Sequence, residues 1–378
     1  MTASTALKAM LCAGAATFVA GAAMAQSAPG YTPPKTSWGA PDLQGTWTNA
    51  SITKMQRNPR FKNLVLTPAE AAQFEKSDYY NNRTREDAKP ADPNDKTLLD
   101  GTDLLSGGGY NAFWVDPGTK VGVVKGELRS SWIVDPADGR IPYKPGANPR
   151  ARAKPAAAKP AAPKAPTGKA SKDGTVQGPG AVDPNAGGGY GSYNGPEARP
   201  VGERCLIGFG GTGGPVMQNV LYNNHYQIVQ TPGAVLIDIE MDHDARIIPI
   251  VKNEAEAHYG PEVIHKWLGD SVGWYEGDTL VVETRNVNPQ QHGLIGDDGK
   301  VTERFTRWNQ NQILYEFTVE DPSKYTQPWK GEIPLNLSKE PLYEYACHEG
   351  NYAMPHILAG ARIQEREGKV VANNTDEE

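Results

Sequence analysis

The feature that most constrains this chain is a train of short segments, dense in β-branched and aromatic residues, through its C-terminal half. YQIVQ (226–230), AVLIDIE (234–240), ARIIPIV (245–251), TLVVETR (279–285), VTERFTRW (301–308), QILYEFTVE (312–320) and LYEYAC (342–347) each read as a strand. Clusters such as Pro-Gly, His-Asp, Glu-Gly-Asp and Asn-Gln-Asn separate them. Links this short join antiparallel neighbours, so the pattern predicts a mainly β chain, a meander forming a lipocalin-like barrel or a sandwich. In VTERFTRW, Val301, Glu303, Phe305 and Arg307 share one face, and Thr302, Arg304, Thr306 and Trp308 the other. Both faces are mixed, which suits either the wall of a polar-lined cavity or an exposed sheet face. Helix signals are few. Thr67-Pro68-Ala69-Glu70 has the cap, first-turn proline and glutamate of a capping box. AMPHILAGARIQEREGK, with Ile357, Leu358 and Ile363 able to dock on the sheet, predicts a second peripheral helix.

Upstream of these strands, residues 144 to 200 break the pattern. Gly and Pro number 41 and 31 in the 378 residues, and this stretch of Ala, Pro, Gly and Lys is dense in them. It has too few large apolar side chains to offset the entropy of ordering it, which predicts a disordered insertion. Residues 26 to 143 and 201 to 378 then read as two parts of one β domain. Seven basic residues and no acid lie between Arg150 and Lys172, a run suited to a weak contact with an anionic surface or to a solvated spacer. The net charge of −6 leaves no electrostatic footprint for nucleic acid.

The first 25 residues read as an export signal. Lys8 precedes an apolar run, and Ala23-Met24-Ala25 supplies the cleavage pattern, predicting a mature start at Gln26 and a periplasmic or secreted protein. No later stretch has the length and apolarity of a membrane helix, so no integral membrane contact is expected. Removing the signal takes Cys12 with it. Cys205 and Cys347 remain, an even number in an oxidising compartment, which predicts a bridge between them; two separate buried thiols are the other arrangement.

PDLQGTWTN, SSWIVDPADGRIPY, ERCLIGFGG, YNNHYQIVQTPGAVLIDIEMDHDARIIPI, KWLGDSVGWYEGDTLVVETRN, ERFTRWNQNQILYEFTVEDP and YEYACHEGNYAMPHILAGAR resemble the signature blocks of a large family of exported proteins from α-proteobacteria and acidobacteria. The resemblance spans nearly the whole chain outside the insertion. It implies export and carries no reaction with it.

No phosphate-binding loop, HExxH, G-x-S-x-G or dinucleotide fingerprint occurs; GFGGTGGP (208–215) is glycine-rich without the flanking context and reads as a flexible crossing. His258 and His265 make a weak zinc pair because Gly260-Pro261 interrupts any helix between them. No metal and no organic cofactor is expected. The better constellation gathers where strands turn. His243, Asp244 and His348 are the candidate catalytic residues, since a histidine beside a carboxylate can act as a general base. His225, Arg246 and Glu349 are the candidate substrate-binding residues, the arginine for an anionic group. Turn formation, with Asp244 paired to Arg246 or Arg304, is the structural reading of the same residues. Two functions follow: a lyase, isomerase or hydrolase moving protons on a small aromatic or apolar compound, or a non-catalytic carrier whose Trp267, Trp274, Tyr275, Trp308 and Trp329 line a cavity. A small molecule is the partner in both.

Overall fold

The computed structural model describes residues 27–88, 115–148, 195–208, 211–291, 294–296 and 298–367. The expected signal segment (1–25) and basic stretch (150–172) lie outside the described residues, as does most of the expected insertion.

Nine strands form one nearly closed antiparallel barrel. They are β1 (Gly45–Thr48), β5 (His225–Gln230), β6 (Ala234–Ile239), β7 (Ala245–Pro249), β8 (Asp270–Glu276), β9 (Thr279–Arg285), β10 (Lys300–Asn309), β11 (Gln312–Glu320) and β12 (Trp329–Leu337). Their order is β7-β6-β5-β1-β12-β11-β10-β9-β8. Three small strands lie outside that path: β2 (Val123–Val124) and β3 (Glu127–Leu128) pair with each other, and β4 (Ile133–Asp135) pairs with β12. The two ends of the path meet where Ile250 bridges Gly273 and the Val251 N–H donates to the Gly273 carbonyl at 2.9 Å. A Cβ at Gly273 would stand 3.0 Å from Ile248 and from Ile250, so glycine leaves the seam its close packing. Of the barrel and sandwich readings, the barrel is the one formed.

The alternating burial of β10, β11 and β12 places one apolar face inward. Phe305, Tyr315, Phe317, Trp329 and Trp47 fill the interior with rings, Phe317 and Trp329 meeting edge to face at 5.6 Å. Phe317 lies on Gly331, its register partner, using the space a side chain would take. A second cluster of Ile52, Leu66, Ala71, Phe74 and Val121 seats helix α1 (Pro68–Ser77) beside the barrel. Thr67 and Glu70 form the expected capping box there. Helix α2 (Tyr79–Asp87) follows, and α3 (Ala353–Arg366) is the second helix read from sequence.

Three differences from the sequence reading have physical causes. LYEYAC forms no strand; residues 340–347 run as an irregular strap. β1, β8 and β12 escaped notice because glycine, proline and charged residues dilute their β pattern, Pro334 being buried within β12 opposite Leu314. The glycine-rich run is no flexible crossing in its described part, since residues 211 to 217 are all buried. They plug one end of the barrel. The Thr212 carbonyl accepts from the Tyr226 hydroxyl at 3.1 Å, the Met217 N–H donates to the Tyr315 hydroxyl at 3.1 Å, and the Met217 carbonyl accepts from Asn49. Glycine suits so close an approach: Gly214 is left-handed, with Arg246 3.0 Å from its Cβ position.

Candidate functional site

The plugged end is also where the polar candidates lie. β5 begins there with His225, β6 ends there just before Glu240, and β7 leaves from Ala245. Antiparallel pairing therefore sets His225 beside Glu240, and the imidazole Nδ1 lies 3.0 Å from Glu240 Oε2. Oε2 also accepts the His225 backbone N–H, and Oε1 accepts the Tyr343 N–H of the strap at 3.2 Å. The hydrogen bond that the Glu240 carboxylate accepts from the imidazole raises the His225 pKa, against its burial. Burial pushes Glu240 up, but the bonds from His225 and Tyr343 outweigh it and hold the carboxyl below its usual value. The pair anchors the strap to the barrel rim.

The connection from β6 to β7 is a single tight turn, Met241–His243, in which Met241 is buried. Asp242 and His243 both adopt left-handed backbone, at φ 63° and 53°. Two such residues in a row cost free energy and persist only where the surrounding structure imposes them, although Asp and His adopt this region more readily than most residues. The turn presents three polar residues in succession. His243 is exposed, while Asp242 and Asp244 are half-buried. Burial lifts the Asp242 carboxyl, and the nearby charges of His243 and His348 pull it back. Asp242 is thus within electrostatic reach of two imidazoles from segments a hundred residues apart in sequence. Asp244 turns inward, and its Oδ2 accepts the Gly208 N–H at 3.1 Å. Burial pushes its pKa up to about 6, a shift that the Gly208 bond limits and the charge of Asp242 adds to.

His348 reaches this turn because of the cysteines. Cys205 and Cys347 bring their sulfurs to disulfide distance with Cα atoms 5.8 Å apart, tying the strap to the segment entering the plug. Beside them opens a cleft of about 270 Å³. Pro196, Leu206 and Met354 give it apolar walls, and Arg204, His348 and Asn351 give it polar ones. Met354 comes from the first turn of α3, so helix, strap and plug entry converge on one opening.

Arg246 lies elsewhere than its place in the sequence reading. It is 3% exposed inside the barrel, and its guanidinium forms a forked ion pair with Glu303 of β10, Nη1 to Oε1 at 3.0 Å and Nη2 to Oε2. Nη2 also donates to Thr284 and Ser271, and the Tyr315 hydroxyl donates to Glu303 at 2.7 Å. The Glu-bearing face of β10 is therefore an interior face whose charge is met by protein. Asp244 pairs with neither arginine, since Arg304 holds Glu276 at 2.9 Å.

The structure thus groups Asp242, His243, Asp244 and His348 at one rim, with His225 and Glu240 on the same end of the barrel. Glu349 is exposed next to His348, and Arg246 is sealed from solvent. Asp242, Arg204 and Asn351 were not among the candidate site residues read from the sequence. The signal for Arg204 was its place next to Cys205, since a half-cystine fixes its neighbours as firmly as it fixes His348. Among the aromatics weighed for a ligand cavity, Trp274 and Trp329 are packed in the interior or against it. Comparison of the chain with protein-family models, curated proteins and solved structures finds no match.

Proposed function

We propose that this rim is the active site of an exported enzyme that moves a proton on a small molecule seated in the cleft. The observation that carries the reading is that the Cys205–Cys347 link seats His348 in the wall of a cleft open to solvent, at the end of the barrel where the Met241–His243 turn presents Asp242 and His243. A neutral imidazole can take a proton from a substrate held against it, and His348 is the imidazole in the cleft wall. His348 lines the cleft and is the catalytic residue in this scheme; Asp242 is its partner carboxylate, on the turn that Asp244 pins to the Gly208 N–H. The reaction class is lyase, isomerase or hydrolase. Disulfide distance between the two cysteines of the exported form supports an oxidising compartment. The carrier reading is the weaker one, because rings, the Arg246–Glu303 pair and the Val216–Met217 plug occupy the barrel interior.

The test is a turnover screen of small aromatic esters, hydroxy acids and amides against the full exported chain, read by mass spectrometry. Turnover that is lost in His348→Gln and in Asp242→Asn, with thermal unfolding unchanged in both, supports the reading. Compounds that bind in the cleft and are never consumed would return the carrier, and turnover untouched in both variants would remove the site from this rim.

A further inference from the structure

Taken as the substrate site proposed above, the cleft carries information about what it holds. Its apolar walls, Pro196, Leu206 and Met354, suit a hydrocarbon or aromatic body. At about 270 Å³ it exceeds the roughly 150 Å³ cavity that encloses benzene, so one substituted ring fits. Two acidic and basic side chains decide the charge of that substituent.

Glu203 and Arg204 both line the cleft. Glu203 is spoken for: Arg199, buried at 6% exposure, donates from Nε to Oε2 at 2.8 Å and from Nη2 to Oε1 at 2.9 Å. Both carboxylate oxygens are engaged, and the pair is neutral as a unit. Among the described residues Arg204 forms no ion pair, so its charge is the uncompensated one in the cleft. Asn351 is occupied as well, its Oδ1 accepting the Ala353 N–H at 3.2 Å and its Nδ2 reaching Cys205 Sγ at 3.7 Å. His348, on the same wall, brings no carboxylate into the cleft.

We propose that the cleft binds a small carboxylate with an apolar or aromatic body, and that Arg204 is the residue that selects the carboxylate. The planar guanidinium offers a two-pronged match to a carboxylate that a lysine cannot reproduce. The single uncompensated cation balances a single negative charge, so a monoanion is the fitting ligand. The body of the ligand then lies on Met354 and Leu206, within reach of His348. Arg204 takes the role in anion binding that the sequence suggested for Arg246, which is buried with a carboxylate of its own.

The probes are benzoate and its neutral analogue benzamide, titrated against the full exported chain by calorimetry and by ligand-detected NMR. Benzoate is expected to bind and benzamide to bind at least about tenfold more weakly. Arg204→Gln should bring benzoate down to the level of benzamide without moving the thermal transition, and Arg204→Lys should fall between. His348→Gln should leave most of the benzoate affinity in place. Equal affinity for the two probes, benzoate binding indifferent to Arg204→Gln, or no binding of either up to about 10 mM would each overturn the assignment. Arg204-dependent binding of benzoate by a protein that turns nothing over would leave the subsite standing and defeat only the catalytic reading of His348.

Discussion

Arg246 on β7 and Glu303 on β10 are ion-paired across the barrel interior, with 1% and 0% of their side chains exposed. The strands sit far apart along the sheet path and face one another only because β7 closes against β8. The pair therefore reports closure. It also sits under the plug, where Arg246 approaches Gly214 and Tyr315 links Glu303 to Met217. Removing one partner strands a buried charge, so Glu303→Gln should cost about 3 to 5 kcal/mol in urea unfolding. Arg246→Met combined with Glu303→Leu should cost less than either single change, because no charge is left unpaired. A double variant as damaged as the sum of the singles would show that the pair is held for more than its charge.

How much of this was legible beforehand depends on local pattern. Each strand rich in valine, isoleucine and aromatics could be read, and so could the Thr67 capping box, because each signal is complete within a few residues. β12 could not, since a buried proline and alternating polar residues hide a strand that only its neighbours define. The rim was half legible. His243, Asp244 and His348 stood out as polar residues at turns or beside a cysteine, and the cysteine pairing was available by counting. Arg246 was misplaced for a physical reason: sequence shows a charge two residues after Asp244, but only closure of the barrel supplies Glu303 to receive it. Strand alternation contained the hint, because Arg246 shares its face with Ile248, which is wholly buried.

The bridge closes a loop with a sequence separation of 142 residues. In the chain-entropy account, a loop of that length constrains the unfolded state by about 5 kcal/mol. Cys205→Ser with Cys347→Ser should lower stability by roughly that amount and free the strap that carries His348. Thiol labelling of the denatured, unreduced protein should find no free thiol. Two reactive thiols there would show that the cysteines stay reduced.

Asp244 has a distinct pH signature. Its folded pKa of about 6 lies above the ordinary 3.8, so folding favours the protonated carboxyl. The stabilisation is fully present below about 3.8 and is lost as pH rises through about 6. Asparagine keeps an oxygen for the Gly208 N–H and never ionises. Asp244→Asn should raise the thermal midpoint relative to the parent above about pH 7, and that gain should vanish near pH 4. A gain of equal size at both would point to a cause other than ionisation.

His225 and Glu240 give the opposite kind of profile, bounded on both sides. The raised imidazole pKa makes its contribution complete below the ordinary 6.5 and removes it as pH rises through the folded value. The lowered carboxyl pKa makes the Glu240 contribution complete above the ordinary 4.5 and removes it as pH falls through the folded value. Both hold together between 4.5 and 6.5, where the pair is charged on each side. A charge-assisted bond of this kind is worth about 1.5 to 3 kcal/mol. Glu240→Gln should therefore show its largest deficit in urea unfolding inside that window, shrinking toward both acid and alkali. Because Glu240 also accepts the Tyr343 N–H, the variant should loosen the strap, and amide exchange at Tyr343 should quicken with the same pH dependence. A deficit that stays level from about pH 3 to about pH 9 would mean that the pair acts through its neutral hydrogen bonds and that charge contributes nothing to holding the strap.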